Sequence, residues 1–482
     1  MSILEGKQPE KVFHYFEEIC SIPHGSENVK QISDYLVDFA RQRGLKYRQD
    51  EKLNVIIWKE ASAGYEDSAP VILQGHMDMV AVKDPDVDKD MEKEGLDLAI
   101  DGDMLYARGT SLGGDDGIAV AYTLAVLDDD TIPHPPIEAV ITTDEEIGML
   151  GADYLDTSDL KSRILLNIDS EDEGIFTVSC AGGATAICSI PVEREEIRAE
   201  KLILRLSGLA GGHSGEEIGR GGLNANTALG RILYTLSDSM NIRLVDVRGG
   251  EKDNAIPISS EAVIALPGGQ ADRAMDLMED VFAVLKEEYG SLEPDMELDM
   301  GVTGEEEVVC FTAAASRAVV SALMVLPNGV IRMNPDMKDM VQTSLNLGIL
   351  RTSQDQVSIT YSVRSSSETE KENLIEKIDA VIQLVGGNIK LTGSYPGWEY
   401  RPESHLRDTM VEAYRLLYGE DPVVEGIHAG LECGLFAAKM PGLDAISFGP
   451  QMQNIHTTGE RLSIESTRRT WDLLLKTLEM LK

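Results

Sequence analysis

Cysteine, aromatic side chains and positive charge are all scarce in this chain. Its 482 residues include five cysteines, 5% aromatics, and 43 Lys and Arg against 83 Asp and Glu. Cys20, Cys180, Cys188, Cys310 and Cys433 are odd in number and scattered, and no C-x-x-C occurs. This argues against a disulfide framework or a thiolate zinc site and fits a reducing, cytoplasmic compartment. The formal net charge of −40 disfavours nucleic acid and anionic membrane surfaces as partners and favours solubility. Long apolar runs are missing too. The longest uncharged stretch, Ile175 to Val192, contains Gly182 and Gly183 and reads as strands joined by a turn rather than a membrane span. The opening MSILEGKQPEKVFHYF lacks the basic start and apolar stretch of a signal peptide.

Several catalytic signatures are absent as well. No G-x-x-x-x-G-K-[ST] phosphate loop occurs, and GGHSGE around Ser214 lacks the G-x-S-x-G spacing of a serine hydrolase. GLAGGHSG and GRGGLNAN are glycine-rich without the Rossmann spacing. Cys433, in HAGLECG, reads as a buried structural thiol.

What is present is an ordinary globular composition, 43% hydrophobic and 26% charged, long enough for two or three domains. Val29, Ile32, Leu36 and Phe39 mark one helical face. The short apolar runs NVIIW, VILQGHMDMV, IEAVITTDEE and ILLNIDSE alternate with helical stretches such as GIAVAYTLAVL. That order predicts βαβ units and a mostly parallel sheet. From KLILRLSGL to the helix KENLIEKIDAVIQLVGG, antiparallel strands and helices suggest a sandwich of two related β-α-β-β units. The end returns to the first style, with LDAISFGP and an amphipathic helix carrying Trp471, Leu474, Leu475, Leu478 and Leu481. The fold class is therefore α/β: a mostly parallel-sheet domain from 1–186 and 396–482, with an α+β domain inserted at 187–395. The acidic run from Asp84 to Asp103 lacks EF-hand spacing and reads as a solvated loop.

The chemistry gathers at strand ends. VILQG runs into His76 and Asp78, IEAVITT into Asp144, Glu145 and Glu146, and ILLNI into Asp169 with Glu171 beyond. GTSLGGDDG sets Asp115 and Asp116 before a helix, and His456 follows DAISFGP. In an open parallel sheet the carboxyl ends of the strands face one crevice. Carboxylates crowded there would repel unless cations intervene. Two histidines with several carboxylates form a mixed N/O ligand set that suits Zn²⁺, with Mn²⁺ or Co²⁺ as alternatives. A carboxylate left free beside an activated water can serve as general base.

These segments resemble the M20 metallopeptidase family. LQGHMDMV, GTSLGGDDGIAVA, TTDEEIGMLGA, NIDSEDEG, GGHSGEEIGRGGLNAN, DNAIPISS, HAGLECG and NIHTTGE match it in order over nearly the whole chain. The resemblance implies that His76, Asp115 and Asp169 hold one metal and that Asp115, Glu146 and His456 hold a second. Asp115 would bridge them through a cis Asp115–Asp116 peptide. Asp78 would orient His76, and Glu145 would be the general base. The inserted domain would be a lid whose His213 stabilises the oxyanion, while Asn254, Arg364 and the backbone at Gly430 grip the substrate carboxylate. Asp at position 169 is similar to aminopeptidases and dipeptidases of the family, whereas Glu there marks carboxypeptidases and deacylases. One departure is that GGDDG is followed by Ile118, where many members carry a lysine after the Asp pair. The implied activity is two-metal hydrolysis of Xaa-His and other small dipeptides, with a homodimer as a further expectation. An N-acyl-amino-acid deacylase and a non-catalytic metal-binding protein are the alternatives.

Overall fold

Four apolar strands lie side by side at the centre of the N-terminal sheet: Val71–His76, Ile137–Thr142, Ile164–Asn167 and Asp444–Ser447. They pair parallel to one another and are buried along almost their whole length. Continuous burial is what a parallel sheet covered on two faces requires. The margins differ. Val55–Lys59 pairs antiparallel with Ile137–Thr142, Lys46–Gln49 folds back on it, and Ile175–Cys180 is antiparallel to Asp444–Ser447. The eight-stranded sheet is thus parallel at its centre, with antiparallel pairs recorded on both sides of it. A connection as short as residues 50–54 allows a hairpin but no crossover.

The computed structural model describes residues 3–266 and 268–482. They divide into two units. The first comprises the chain up to Cys180 with Tyr400–Gly426 and Leu431–Lys482; the second comprises Ala181–Glu399 and Ile427–Gly430. In the first unit, the helix Gly114–Leu127 is buried at every residue except Asp115, as expected of a helix apolar on all sides. It packs on the strand Val71–His76 and on the helix Glu10–Cys20. The expected helical face at Ile32, Leu36 and Phe39 lies in Lys30–Gln42 and is buried. The C-terminal helix Ile464–Met480 buries Leu473, Leu474 and Leu478, and Trp471 stacks on Tyr122 at 5.8 Å between ring centroids.

The acidic run departs from expectation. Its last residues form a hairpin, Leu98–Asp101 with Met104–Ala107, rather than a loop. The two-residue turn at Gly102 and Asp103 is the local signal, since Gly102 takes φ +62°. Through Arg461–Ser463 this hairpin joins a four-stranded sheet that also contains Met452–Gln453, so the acidic segment borders the His456 turn.

The second unit is built on a ten-stranded sheet whose recorded pairs are antiparallel. One quartet runs in the order Glu297–Val302, Arg194–Ser207, Ser260–Leu266, Arg243–Gly249. A second quartet, Asn388–Tyr395, Gly182–Pro191, Gln356–Ser365, Val341–Thr352, repeats that order. Each places its fourth strand beside its first and its third beside its second, so the expected pair of related units is present, one nested in the sequence of the other. Residues of Ala225–Ser239, Ala271–Tyr289, Ala313–Val325 and Glu368–Leu384 share one hydrophobic core with the sheet.

Gly75 shows how closely the first unit's helix approaches its sheet. A Cβ there would lie 2.5 Å from both Ala119 Cβ and Asp116 Oδ2. Gly75→Ala should therefore destabilise the first unit by about 1–3 kcal/mol, read as a lower urea midpoint. An unchanged midpoint would show that this packing is looser than described.

Candidate metal centre

Each ligand candidate sits where a regular element ends. His76 closes the strand Val71–His76 and is 1% exposed. Asp115 opens the buried helix with non-helical φ −85° and ψ 106°, and its peptide bond to Asp116 is cis. Glu145 and Glu146 follow the strand Ile137–Thr142, past Asp144 at φ +52°. Asp169 lies two residues beyond Ile164–Asn167. His456, at φ +63°, projects from the turn between Met452–Gln453 and Arg461–Ser463.

Asp115 is the point where these side chains meet. Its Oδ1 lies 3.1 Å from His76 Nε2 and its Oδ2 3.0 Å from His456 Nε2. On the first side Asp169 Oδ1 is 3.7 Å from His76 Nε2, and on the second Glu146 Oε2 is 2.9 Å from His456 Nε2. Ligand atoms of His76, Asp115 and Glu146 all fall within 4.8 Å of one another, as do those of His76, Asp116 and Asp169. Asp116 is the weaker ligand candidate, because its Oδ2 already accepts the backbone N–H of His76 at 3.1 Å.

Electrostatics shows the strain of this crowding. Burial opposes charge on Asp115, yet His456 and His76 together hold its carboxyl well below the usual carboxylate range. Burial also opposes charge on His76, but Asp115, Asp169 and Asp78 outweigh it and raise the imidazole. Hydrogen bonds donated to the Asp115 and Glu146 carboxylates raise His456 to about 10. Glu145 is pushed up to about 9, by burial first and then by Asp169, Glu432 and Glu146, against the opposing pull of His76. Asp169 and Glu146 are raised too, chiefly by burial. The buried Glu146 Oε1 and Asp116 Oδ1 have no hydrogen-bond partner. Excess buried carboxylate, an orphaned acceptor and two imidazole nitrogens on one shared aspartate fit a pair of divalent cations.

Asp78 does more than orient a histidine. His76 Nδ1 is 3.0 Å from the Asp78 backbone carbonyl and 3.5 Å from its carboxylate. That carboxylate accepts the Glu145 and Glu146 backbone N–H groups at 3.1 and 3.4 Å and the Ser26 hydroxyl at 2.8 Å. It therefore also fixes the turn that carries the candidate base and one ligand.

His213, Asn254, Arg364 and Gly430 belong to the second unit. There Ser214 N–H donates to the Asn254 carbonyl at 2.8 Å, and His213 bridges Ala255. Arg364 stands opposite Ser344 on one neighbouring strand and Gly183 on the other, and its buried Nε lacks a partner. Burial, then the Arg364 charge, lowers His213. Gly430 ends a short segment whose Ile427 and Ala429 carbonyls accept the Ala181 N–H.

Four residues around these sites escaped sequence reading. His428 Nε2 lies 2.7 Å from Ser344 Oγ. Glu432, wholly buried, accepts from Gln74 at 2.5 Å and Thr142 at 2.8 Å. Ser26 binds Asp78. Glu460 accepts backbone N–H groups of the loop before Asp116. Glu432 and Glu460 lie in the recognised segments HAGLECG and NIHTTGE, which drew attention to Cys433, Gly430 and His456 instead.

A shared bridging aspartate with a histidine and a carboxylate on either side defines a candidate dinuclear metal centre. The profile described as Peptidase family M20/M25/M40 matches residues 72–480. The chain is 37% identical to the cytosol non-specific dipeptidase of Escherichia coli K12 over 481 residues, 99% of either chain. It is 36% identical to the crystal structure of aminoacylhistidine dipeptidase from Vibrio alginolyticus, with TM-score 0.95, covering 99% of this chain and 97% of that one. A Staphylococcus aureus tripeptidase shares the fold at 16% identity and TM-score 0.59, covering 98% and 99% of the two chains. The chain belongs to the M20/M25/M40 peptidase family, whose members are metal-dependent.

Two outcomes follow. Ions that bind only the folded chain stabilise it, by roughly 2.7 kcal/mol per site at 100-fold excess over Kd. Chelation should thus lower Tm, and Zn²⁺, Mn²⁺ or Co²⁺ should restore it; a Tm indifferent to chelator would argue against the centre. Separately, burial and then Arg364 lower His428 from 6.5 to about 4. The unfolded chain then binds more protons between those values, so stability should fall as pH drops from 6.5 toward 4. His428→Gln should flatten that part of the Tm–pH curve, and an equally steep curve would contradict the assignment.

Proposed function

We propose that this chain is a cytoplasmic dipeptidase that hydrolyses Xaa-His and other dipeptides with free α-amino groups, using two divalent cations, Zn²⁺ foremost. The observation that carries the reading is Asp115, whose two oxygens divide between His76 and His456. The full-length similarity to two dipeptidases supports it. Among the described residues no helix is long and apolar enough to cross a membrane, and the Escherichia coli relative carries "cytosol" in its name.

In this reading His76, Asp169 and Asp115 would hold one cation, and Asp115, Glu146 and His456 would hold the other. When bound, the pair polarises a peptide carbonyl and lowers the pKa of water in the site. The protein's own residues do the rest. Glu145, held as a proton carrier by its buried setting, takes a proton from the attacking water and delivers it to the leaving amine. With cations in the site, its ionised, basic form would be favoured. Asp78 keeps Glu145 in place through its backbone N–H. By resemblance to the family, His213 would donate to the oxyanion, and the planar fork of Arg364, with Asn254 and the Gly430 backbone, would bind the substrate carboxylate.

Glu145→Ala should bind metal normally and lose about 10²–10⁴-fold in kcat on a Xaa-His dipeptide. Wild-type turnover in that variant would contradict the assigned base. Cleavage of acetylated amino acids in place of free dipeptides would replace this reading with a deacylase.

A further inference from the structure

The ligand set does not explain Gly113 and Gly114 of the segment GTSLGGDDG, and NIHTTGE ends in a glutamate that it does not use. The fold brings them together. Glu460 is 3% exposed and accepts four consecutive backbone N–H groups. Its Oε2 receives Leu112 and Gly113 at 2.7 and 3.0 Å, and its Oε1 receives Gly114 and Asp115 at 2.8 and 3.3 Å. Only an ionised carboxylate offers two oxygens that act purely as acceptors. The glycines make the approach possible. Gly113 takes φ +65°, and a Cβ on Gly114 would lie 3.3 Å from Glu460 Oε1 and 3.2 Å from the Met452 sulfur.

Glu460 shares a self-bonded turn with His456. Thr457 Oγ1 donates to the Asn454 carbonyl at 2.7 Å, Gly459 N–H donates to Thr457 Oγ1 at 3.1 Å, and Glu460 N–H donates to the Thr457 carbonyl at 3.2 Å. Asp115 is thus held by one turn at two points, its backbone by Glu460 and its side chain by His456.

We propose that Glu460 is a positioning residue that builds the Leu112–Asp115 loop before metal arrives, so that Asp115 is already aimed to bridge two ions. The inference rests on the two-metal reading above. Outer-shell partners of this kind typically govern metal affinity by about 10–100-fold. Glu460→Gln places an amide N–H₂ against two backbone donors, and Glu460→Asp is too short to reach all four.

The test is Co²⁺ titration of chelator-stripped full-length protein, followed by the visible d–d spectrum and by the number of ions bound at saturation. A thermal melt in chelator checks the fold of each variant. The wild type should bind two Co²⁺. A folded Glu460→Gln or Glu460→Asp chain should bind at least 10-fold more weakly with an altered spectrum. Hydrogen exchange on the stripped wild type needs no variant: amides 112–115 should be protected without metal. Wild-type Co²⁺ affinity and spectrum in the variants, or free exchange of those amides until metal is added, would overturn the role of Glu460. A wild-type chain that binds no Co²⁺ would overturn the metal centre itself.

Discussion

Asp115 sits among Glu145, Glu146 and Asp169 in a setting whose burial disfavours their charged forms, and two imidazoles offset only part of the repulsion. A free chain would relax such crowding by moving the groups apart or protonating them. Here the backbone prevents movement. His76 is fixed by its strand and by Asp78, the Glu145–Glu146 turn by the same Asp78 carboxylate, and the Asp115 loop by Glu460. The first unit stores unfavourable electrostatics in a rigid frame, and that is the arrangement a divalent cation relieves. The glycine at position 75 belongs to the same constraint, since it lets Asp116 close against the strand that delivers His76.

The second unit has the opposite electrostatic character around its own polar cluster. Arg364 keeps a buried, unpartnered Nε, and His213 and His428 both have lowered pKa values in its vicinity. An arginine next to imidazoles that resist protonation is a positive centre with an open valence for an anion. In a chain of net charge −40, this positive spot is the setting in which the proposed grip of Arg364 on a substrate carboxylate would act.

The fold was legible wherever burial was continuous. Runs such as VILQGH and IEAVIT carry no alternation because both faces are covered, and they became the parallel centre of the sheet. The ligand candidates were legible because parallel strands deliver their ends to one edge, so His76, Glu146 and Asp169 could be grouped without coordinates. The hairpin at Leu98–Asp101 was hidden by its charges: its acidic composition suggested solvent, while its two-residue turn pointed to pairing. Glu460 was hidden for another reason. It acts on main-chain N–H groups about 345 residues earlier in the chain, and backbone donors have no sequence signature. Asp78 was half legible, because its proximity to His76 follows from strand spacing but its hold on the Glu145–Glu146 turn does not.

The proposed centre stands or falls with Asp115 serving two ions at once. Electron paramagnetic resonance of the stripped protein reloaded with Mn²⁺ addresses this directly, because a shared carboxylate couples the spins of adjacent ions. The prediction is a coupled-pair spectrum that grows as the second equivalent is added and disappears in Asp115→Asn. A hyperfine sextet of isolated Mn²⁺ that persists unchanged at saturation would contradict the shared aspartate and the centre built around it.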